Sequence, residues 1–397
     1  MQIIRCIEIN NISEAKKELA AIGCDPWGIE HMADKAVFRV LKLKNITFTQ
    51  ANIIKQEMLS CGGEAAVTRG VVNHSVEQTD ILLMATEAQY RRVCNKLKIQ
   101  PFKLKPLAEK IEQTLDNLMP VEPRIIDCRG KTIELGKGTL VMGILNITPD
   151  SFSDGGKFDT VDNALRHALR LVEEGADIID VGGESTRPGH QPVSVEEELK
   201  RVIPVLERLV KEVDVPISVD TSKAEVARQS LEAGAHIIND VWAGQADPEM
   251  FAVVADYDAP VVLMHNQNST EYGELMSDIV HFLEQAADQA VKAGIPGEKI
   301  IVDPGIGFGK NYEQNLEVMA RLQELKSLGY PVLLGTSRKS MIGNTLDLPV
   351  DQRVEGTAAT IAFGITKGVD IVRVHDVKEM VRVCRMTDAM VRGKLYG

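Results

Sequence analysis

Polar and ionisable residues recur at the ends of short apolar runs in the last two-thirds of this sequence, and their types suggest a ligand site. In chain order they are Asn146, Asp180, Asp220, Asn239, Asp240, His265, Asp303, Lys339, Arg373 and His375. Carboxylates and amides suit a flat heterocycle, because a carboxylate can pair with two adjacent N–H groups. Arginine, histidine and asparagine suit an anionic group such as a phosphate, since the guanidinium fork matches oxyanions.

Each of these residues also has an ordinary structural explanation. An aspartate after a strand is usually a helix cap or a turn former, and a lone histidine is more often structural than a ligand. A series of eight strand ends with polar groups is harder to explain that way. The cleft would hold the cations Lys339 and Arg373 with the acidic groups Asp180, Asp220, Asp240 and Asp303. Burying so many charges requires partners or a ligand.

The same residues suit a hard cation better than zinc. Mg²⁺ chooses oxygen ligands, so it could bridge phosphate oxygens and Asn146. The sequence has no His/Cys cluster with zinc-ligand spacing. The segment 303–310, DPGIGFGK, is not a Walker A loop, because its glycine spacing is wrong and Asn311 replaces the required Ser/Thr. We expect a sharp turn there, with Phe308 as an apolar wall for a ring.

Eight short apolar runs must position these residues, and they predict parallel strands covered on both faces. They span residues 139–147, 177–183, 216–221, 236–241, 260–265, 299–304, 331–337 and 370–375. Intervening amphipathic stretches predict helices, with capping boxes at Ser194–Glu197 and Ser222–Glu225. Glycines that end helices are expected just before strands, at positions 175, 234, 294 and 329. Two polar loops, 148–158 and 182–190, could close over the site.

The count of eight units favours a closed (β/α)₈ barrel over a doubly wound open sheet. Eight βα units within about 260 residues is the usual size of such a barrel. The carboxyl ends of the strands in a barrel converge on one mouth, where catalytic groups lie. We therefore predict an α/β protein whose polar strand ends form one site.

Composition excludes several classes of protein. Of 397 residues, 44% are hydrophobic, enough for a large core, and the net charge of −12 disfavours general nucleic-acid binding. No apolar run reaches about 18 residues, so we expect no membrane span. The start, MQIIRCIEIN, does not resemble a secretion signal, and the six scattered cysteines suit a reducing compartment. These features predict a cytoplasmic location.

A second, smaller domain is expected before the barrel. Residues 1–124 carry 17 basic and 15 acidic residues, whereas the remainder carries 28 and 42. The segment MPVEPR at 119–124 is typical of a domain edge, so we predict domains at 1–124 and 125–397. Residues 49–59 and 87–97 predict helices, and 66–72 and 80–86 predict strands. Residues 91–110 hold seven basic residues and one acid, which favours a solvated face over a nucleic-acid site.

The longest motifs resemble dihydropteroate synthase, a family of pterin-binding TIM barrels. They are MGILNITPDSFSDGG (142–156), DIIDVGGESTRPG (177–189), ISVDTSKAEVA (217–227), GAHIINDV (234–241), VLMH (262–265), VDPGIGFGK (302–310), LLGTSRKSMIG (333–343) and IVRVHDVKE (371–379). The resemblance covers about residues 128–397 and leaves the role of residues 1–124 open.

The resemblance implies a reaction. Members of the family join (7,8-dihydropterin-6-yl)methyl diphosphate to 4-aminobenzoate, which gives 7,8-dihydropteroate and releases diphosphate, and they are targets of sulfonamides. Asp180, Asp220, Lys339 and Arg373 would be catalytic. Asp220, Asn239, Asp303, Lys339 and Arg373 would hold the pterin; Arg373, Asn146 and His375 the diphosphate; and Thr186, Arg187, Pro188, Phe308 and Ser340 the 4-aminobenzoate. Mg²⁺ would bind at Asn146.

Two other functions remain open at this point. One is a pterin-dependent methyltransferase, which would need a corrinoid protein partner. The other is a pterin-binding module without catalysis, which would tolerate loss of the loops at 148–158 and 182–190. The resemblance implies small-molecule substrates and a homodimer, with neither nucleic acid nor membrane as a partner.

Overall fold

The computed structural model describes residues 2–73, 75–119, 123–147, 157–184 and 193–392. The chain forms two compact units, Met1–Val121 and Glu122–Gly397. Among the described residues, no helix is both long and apolar enough to cross a membrane.

The first unit packs helices on an antiparallel sheet. Its elements are α1 (Ile12–Ile22), α2 (Pro26–Met32), β1 (Phe38–Thr47), α3 (Phe48–Ser60), β2 (Glu64–Val67), β3 (Gln78–Thr86), α4 (Glu87–Leu97) and α5 (Leu104–Asn117). The strand order is β1-β3-β2. Alternate residues of β3, such as Ile81 and Leu83, are buried in a core that includes Tyr90. Thr47 and Thr86 begin α3 and α4 with capping boxes.

The four elements predicted in this unit are confirmed; α4 has the predicted bounds, and the other three have shifted ends. The predicted strand at 66–72 is β2, which ends at Val67, and residues Arg69–Val71 instead form a short 3-10 helix. Strand β1 was not predicted, because the apolar residues Phe38 and Val40 lie on its exposed face and obscure the alternation. The basic stretch carries ion pairs: Lys96 lies 3.3 Å from Glu57, and Lys98 lies 2.5 Å from Glu112.

The second unit is the predicted barrel. Its strands and helices are β6 (Leu140–Asn146), α6 (Lys157–Glu173), β7 (Ile178–Gly182), α7 (Val195–Glu212), β8 (Ile217–Asp220), α8 (Ala224–Glu232), β9 (Ile237–Asp240), α9 (Met250–Asp256), β10 (Val261–Met264), α10 (Leu275–Lys292), β11 (Ile300–Asp303), α11 (Tyr312–Ala320), β12 (Leu333–Leu334), α12 (Ser340–Leu346), α13 (Val354–Thr366), β13 (Ile371–Val374) and α14 (Val377–Val391). In the described part of the chain, eight parallel strands pair in the order β11-β10-β9-β8-β7-β6-β13-β12. A β-bridge between Val302 and Val332 joins the two end strands and closes the ring.

A short hairpin, β4 (Arg124–Cys128) and β5 (Lys131–Leu135), precedes the barrel and was not predicted. Its buried residues Ile126 and Ile133 pack against the first inward-facing residues of the strands, such as Met142, Ile178 and Ile371. These residues lie near the amino ends of the strands. The hairpin therefore seals the end of the barrel opposite the mouth.

The helix signals were mostly correct. Ser194 precedes α7, and its side chain accepts a hydrogen bond from the N–H of Glu197, which is one half of the predicted capping box. The Glu197 carboxylate accepts from Arg201 Nε at 3.0 Å. The capping box at Ser222 is wrong: α8 begins at Ala224, whose N–H donates to Asp247 Oδ2 at 2.8 Å. The four predicted helix-ending glycines all have the left-handed backbone that favours glycine.

Candidate active site

Strand alternation decides which polar residues reach the barrel interior. Asn239 and Asp240 are neighbours on β9, so they point to opposite sides. The amide of Asn239 donates to Asp180 Oδ2 at 3.3 Å. The carboxylate of Asp240 instead accepts from the N–H groups of Trp242 and Gly244, at 2.9 and 2.6 Å. The expectation that Asp240 shares the cleft is therefore wrong; it caps its own loop.

An arginine bridges two aspartates at the centre of the mouth. Arg373, on β13, donates from Nε to Asp180 Oδ2 at 2.6 Å and from Nη2 to Asp220 Oδ2 at 2.7 Å. Asp180 is fully buried and Asp220 nearly so. Burial opposes the Arg373 cation, yet the two carboxylates raise its pKa above the usual range. Burial raises the pKa of Asp220 to about 7, although Arg373 acts in the opposite direction.

Each of the two aspartates keeps a second oxygen for another partner. Asp180 Oδ1, Asp220 Oδ1 and Ser218 Oγ are buried and have no hydrogen-bond partner among the described residues. Buried acceptors in folded proteins are almost always paired. These atoms therefore indicate a ligand that carries N–H donors. Ser218 was not predicted, although it lies two residues before Asp220 and therefore on the same side of β8.

Asp303 ends β11 across the mouth. Its Oδ1 accepts from the N–H of Gly305 at 2.7 Å. Burial raises the pKa of Asp303 to about 6, and the nearby cations Lys339, Lys310 and Arg373 oppose this rise. A Cβ atom on Gly335 would lie 4.0 Å from Asp303 Oδ2, so the missing side chain leaves the carboxylate approachable.

Lys339 and Phe308 form an adjoining wall. The Nζ of Lys339 lies 4.0 Å from the centroid of the Phe308 ring, a cation–π contact. Gly307 lets the lysine pass, because a Cβ there would be 3.1 Å from Lys339 Cδ. Ser340, the first residue of α12, is exposed beside Lys339. The arrangement offers an apolar face and a cation to an aromatic acid.

Beside these two groups, His375 and Asn146 provide side chains that could bind an anion. The His375 N–H donates to Ser337 Oγ at 3.2 Å, and its Nδ1 lies 3.0 Å from the same oxygen. Asn146 ends β6, and a Cβ on neighbouring Gly182 would lie 3.4 Å from Asn146 Oδ1. The structure thus brings ten of the thirteen predicted site residues to the carboxyl ends of the strands.

The other three, Thr186, Arg187 and Pro188, lie outside the described residues, as does segment 148–156 of the first predicted loop. Sequence reasoning missed an ion-pair cluster that includes Glu184 of the second loop. Lys223 contacts Glu184 and lies 2.5 Å from Glu198, which is buried on α7. Glu198 is four residues after the cap Ser194, so helical spacing alone did not mark it as part of the site.

The described residues contain no group of three His, Cys, Asp or Glu side chains that could hold a metal. Asn146 contributes one amide oxygen, and Mg²⁺ commonly takes one or two protein oxygens with waters and substrate phosphates. The donor set therefore fits Mg²⁺ that arrives with a phosphate group.

Comparison with known proteins identifies the family to which the chain belongs. A family model described as pterin binding enzyme matches residues 142–375. The chain is 56% identical over 263 residues to a dihydropteroate synthase of Clostridium beijerinckii, a match that covers 66% of this chain and 98% of that relative. It is 44% identical over 393 residues to a probable bifunctional folylpolyglutamate synthase/dihydropteroate synthase of Halobacterium salinarum, covering 97% of this chain and 47% of that protein.

Two solved structures are similar. A Clostridium difficile dihydropteroate synthase with pteroic acid is 55% identical, with a TM-score of 0.64, and the match covers 65% of this chain and 98% of that one. A Xanthomonas albilineans dihydropteroate synthase with 4-aminobenzoic acid is 45% identical, with a TM-score of 0.65, and the match covers 68% and 98%.

Proposed function

The chain belongs to the family of pterin-binding enzymes, and on that basis we propose that it is a dihydropteroate synthase. It condenses (7,8-dihydropterin-6-yl)methyl diphosphate with 4-aminobenzoate, giving 7,8-dihydropteroate and diphosphate. The observation that carries this assignment is Arg373 held between Asp180 and Asp220, whose remaining oxygens are buried without a hydrogen-bond partner among the described residues. The two similar structures, with pteroic acid and 4-aminobenzoic acid, agree with it.

We assign the pterin to the aspartate side of the mouth. A carboxylate accepts two parallel N–H bonds from an aminopyrimidine edge, and Asp303 is buried with Oδ2 next to the space above Gly335. Asp220 and Asn239 would bind the remaining polar edge of the ring system. Lys339 would donate to a ring acceptor, and Arg373 would stack on the ring face.

The leaving diphosphate would be bound by Arg373, Asn146 and His375. Bound Mg²⁺ would neutralise charge that develops on the diphosphate as the C–O bond breaks. The bonding electrons leave with the diphosphate oxygen, so the pterin methylene becomes electron-poor. The carboxylate of Asp180, held 2.6 Å from Arg373, would stabilise that positive charge.

The second substrate would bind along Phe308 and Ser340, with Thr186, Arg187 and Pro188 on its other side. Its neutral arylamine forms the new C–N bond with the methylene and then loses one proton to solvent or diphosphate. No strong base is needed, because the nitrogen lone pair is free at neutral pH. Excluding water prevents hydrolysis of the electron-poor methylene.

Diphosphate release by the purified chain tests the proposal. We expect release that requires the pterin diphosphate, Mg²⁺ and 4-aminobenzoate together, with dihydropteroate as product. Lys339→Ala should lower kcat/KM about 100-fold, because the lysine would contact the pterin directly. Lys211→Ala, an exposed lysine on α7, serves as the control. Pterin binding without turnover in the wild-type chain would contradict the synthase and favour a binding module.

We also propose that residues 125–397 are the catalytic domain and residues 1–124 an accessory domain. The Clostridium beijerinckii relative supports this, because 98% of its length matches only 66% of this chain. The halobacterial relative matches nearly the whole chain, so the first unit has a counterpart there. Residues 125–397 alone should keep kcat/KM within about threefold; complete loss in a folded fragment would assign the first unit a part in catalysis.

We propose a homodimer formed through α13 and α14. Phe363, Met386 and Met390 on these helices are 41%, 62% and 66% exposed, and large exposed apolar side chains mark contact surfaces. Sedimentation equilibrium at micromolar concentration should give twice the chain mass of 43.6 kDa. A monomer at that concentration would contradict this assembly.

We propose that the enzyme works in the cytoplasm. All six cysteines are free thiols. Burial raises the pKa values of Cys94, Cys128 and Cys384 to about 12, which keeps these thiols protonated and unreactive. Fractionation of cells that produce the chain tests the location.

A further inference from the structure

Lys310, which follows β11, is a buried lysine with an unusual set of contacts. It is 8% exposed, and the described contacts of its ammonium are two backbone carbonyls and an imidazole nitrogen. Lys299, which is also buried among the described residues, has an ordinary carboxylate partner, Asp258, at 2.8 Å. Burying an ammonium group is costly. A buried lysine directed at carbonyl oxygens therefore calls for an explanation.

The three contacts match the three N–H groups of an ammonium. Nζ donates to Gly305 O at 3.0 Å and to Phe308 O at 3.1 Å, and it lies 2.9 Å from His265 Nδ1. Burial lowers the pKa of Lys310 to about 7. A neutral amine would keep both carbonyl contacts and accept a hydrogen bond from the Nδ1–H of His265, so all three contacts are possible in either state.

The third partner ties this segment to the barrel. His265 follows β10, and its N–H donates to Asp303 O at 2.9 Å. Its ring is buried and lies 4.8 Å from the ring of Phe282 on α10. His265 is thus fixed by the sheet and by the outer helices, and it gives Lys310 a rigid support.

The segment needs such support because its backbone is unusually adaptable. Gly305, Gly307 and Gly309 all have positive φ, at 67°, 83° and 55°. Glycine populates such conformations without the strain that a side chain adds, but it also leaves many alternatives open. Phe308 lies between two of these glycines, so its ring position depends on side chains that grip the segment from outside.

We propose that Lys310 is a positioning residue that fixes the Phe308 wall of the aminobenzoate site by clamping segment 305–309 onto His265. The proposal rests on the proposed function, which places 4-aminobenzoate against Phe308. Lys310 holds the carbonyl of Phe308, while Lys339 contacts the ring of Phe308 from the mouth. The two lysines therefore have different tasks: Lys339 lines the site, and Lys310 acts behind it.

Lys310→Met tests the clamp, because methionine fills similar space without donating. Initial rates are measured with one substrate varied and the other saturating. We expect the KM for 4-aminobenzoate to rise about tenfold, and kcat and the KM for the pterin diphosphate to change less than threefold. Lys299→Met is the matched control: it also removes a buried lysine, and it should lower the Tm without changing either KM.

Phe308→Ala and the double variant decide whether Lys310 acts through Phe308. Phe308→Ala should raise the same KM, and adding Lys310→Met to it should produce little further change. Fully multiplicative effects, an equal rise in both KM values, or an unchanged KM in Lys310→Met would each overturn the proposal. Loss of turnover in the wild-type chain would instead count against the proposed function.

A milder variant keeps the test available if Lys310→Met does not fold. The hydroxyl of Tyr272 donates to Gly309 O at 2.7 Å and is a second external grip on this segment. Tyr272→Phe should raise the KM for 4-aminobenzoate about threefold, in the same direction. No change in that KM would show that the segment needs no external support, which would overturn the clamp.

Discussion

At the scale of single residues, the pair Asp180 and Asp220 carries more negative charge than the one guanidinium that it contacts. Both carboxylates contact the guanidinium of Arg373. One cation cannot neutralise two buried carboxylates. Without a ligand, a proton on Asp220 relieves the excess. A bound pterin would supply N–H donors instead, so ligand and proton compete for the same carboxylate.

The raised pKa of Asp220 makes stability depend on pH in a defined direction. Its folded-state value of about 7 exceeds the unfolded value of about 4. The folded chain therefore holds this proton between those pH values, and the contribution to stability is lost as pH rises towards 7. Asp220→Asn, which cannot ionise, should gain stability over the wild type by about 2 kcal/mol between pH 5 and pH 8.

Urea unfolding of the two chains at each pH measures that difference. Asp256→Asn, an exposed position at the end of α9, is the control, and its difference from the wild type should stay constant. If Asp220→Asn behaves like the control, the carboxyl is ionised throughout, and Arg373 compensates it fully.

At the scale of elements, the turn before α12 is held from outside. Arg353 donates to Arg338 O at 3.0 Å, to Lys339 O at 3.3 Å and to Leu348 O at 3.0 Å. Its guanidinium lies directly over Gly343, where any Cβ would overlap it. The position of Lys339 therefore depends on the absence of a side chain at Gly343.

Gly343→Ala should displace that guanidinium. We expect a loss of about 2 kcal/mol in the free energy of unfolding and a fall of about tenfold in kcat/KM for the pterin diphosphate. Gly297→Ala is the control, because a Cβ at that position meets nothing within 4 Å. Denaturant melts and initial rates check both effects; an unchanged kcat/KM would show that the turn keeps its shape without Arg353.

Apolar runs predicted the barrel strands because both faces of a parallel sheet are buried, so each strand leaves a continuous signal. The hydrophobic pattern does not predict where a turn ends a strand or which side chains point into the barrel. The apolar run at 331–337 predicted a strand of seven residues, yet β12 spans only Leu333–Leu334. The chain turns towards Arg338, whose φ is 58°. The sequence predicted that both Asn239 and Asp240 face the cleft, but strand alternation points their side chains to opposite sides of the sheet. From the sequence, Lys310 is interpreted only as part of an unsuitable phosphate loop, because its partner His265 is distant along the chain.

At the scale of the whole molecule, stability and chemistry lie at opposite ends of the barrel. Ile126 of the hairpin is 1% exposed and packs on the amino ends of the strands, whereas Ile125 beside it is 66% exposed. Ile126→Ala should cost about 3 kcal/mol, because the cavity cannot fully collapse. Ile125→Ala should cost less than about 0.5 kcal/mol.

Both variants should keep kcat/KM within about twofold, as measured beside thermal unfolding. A large loss of activity in Ile126→Ala at a temperature where it stays folded would mean that packing at the sealed end controls the mouth.

The closure of the barrel has a further consequence. In the described chain, β11 and β12 meet at one bridge, Val302 with Val332, so this junction has fewer rungs than its neighbours. Asp303 ends β11 on one side of this junction, and Lys339 follows β12 on the other side. A pterin bound by both residues would connect the two strands across this junction. Substrate would then slow hydrogen–deuterium exchange of the amides at this junction first, because it adds a second connection to the single bridge that closes the ring.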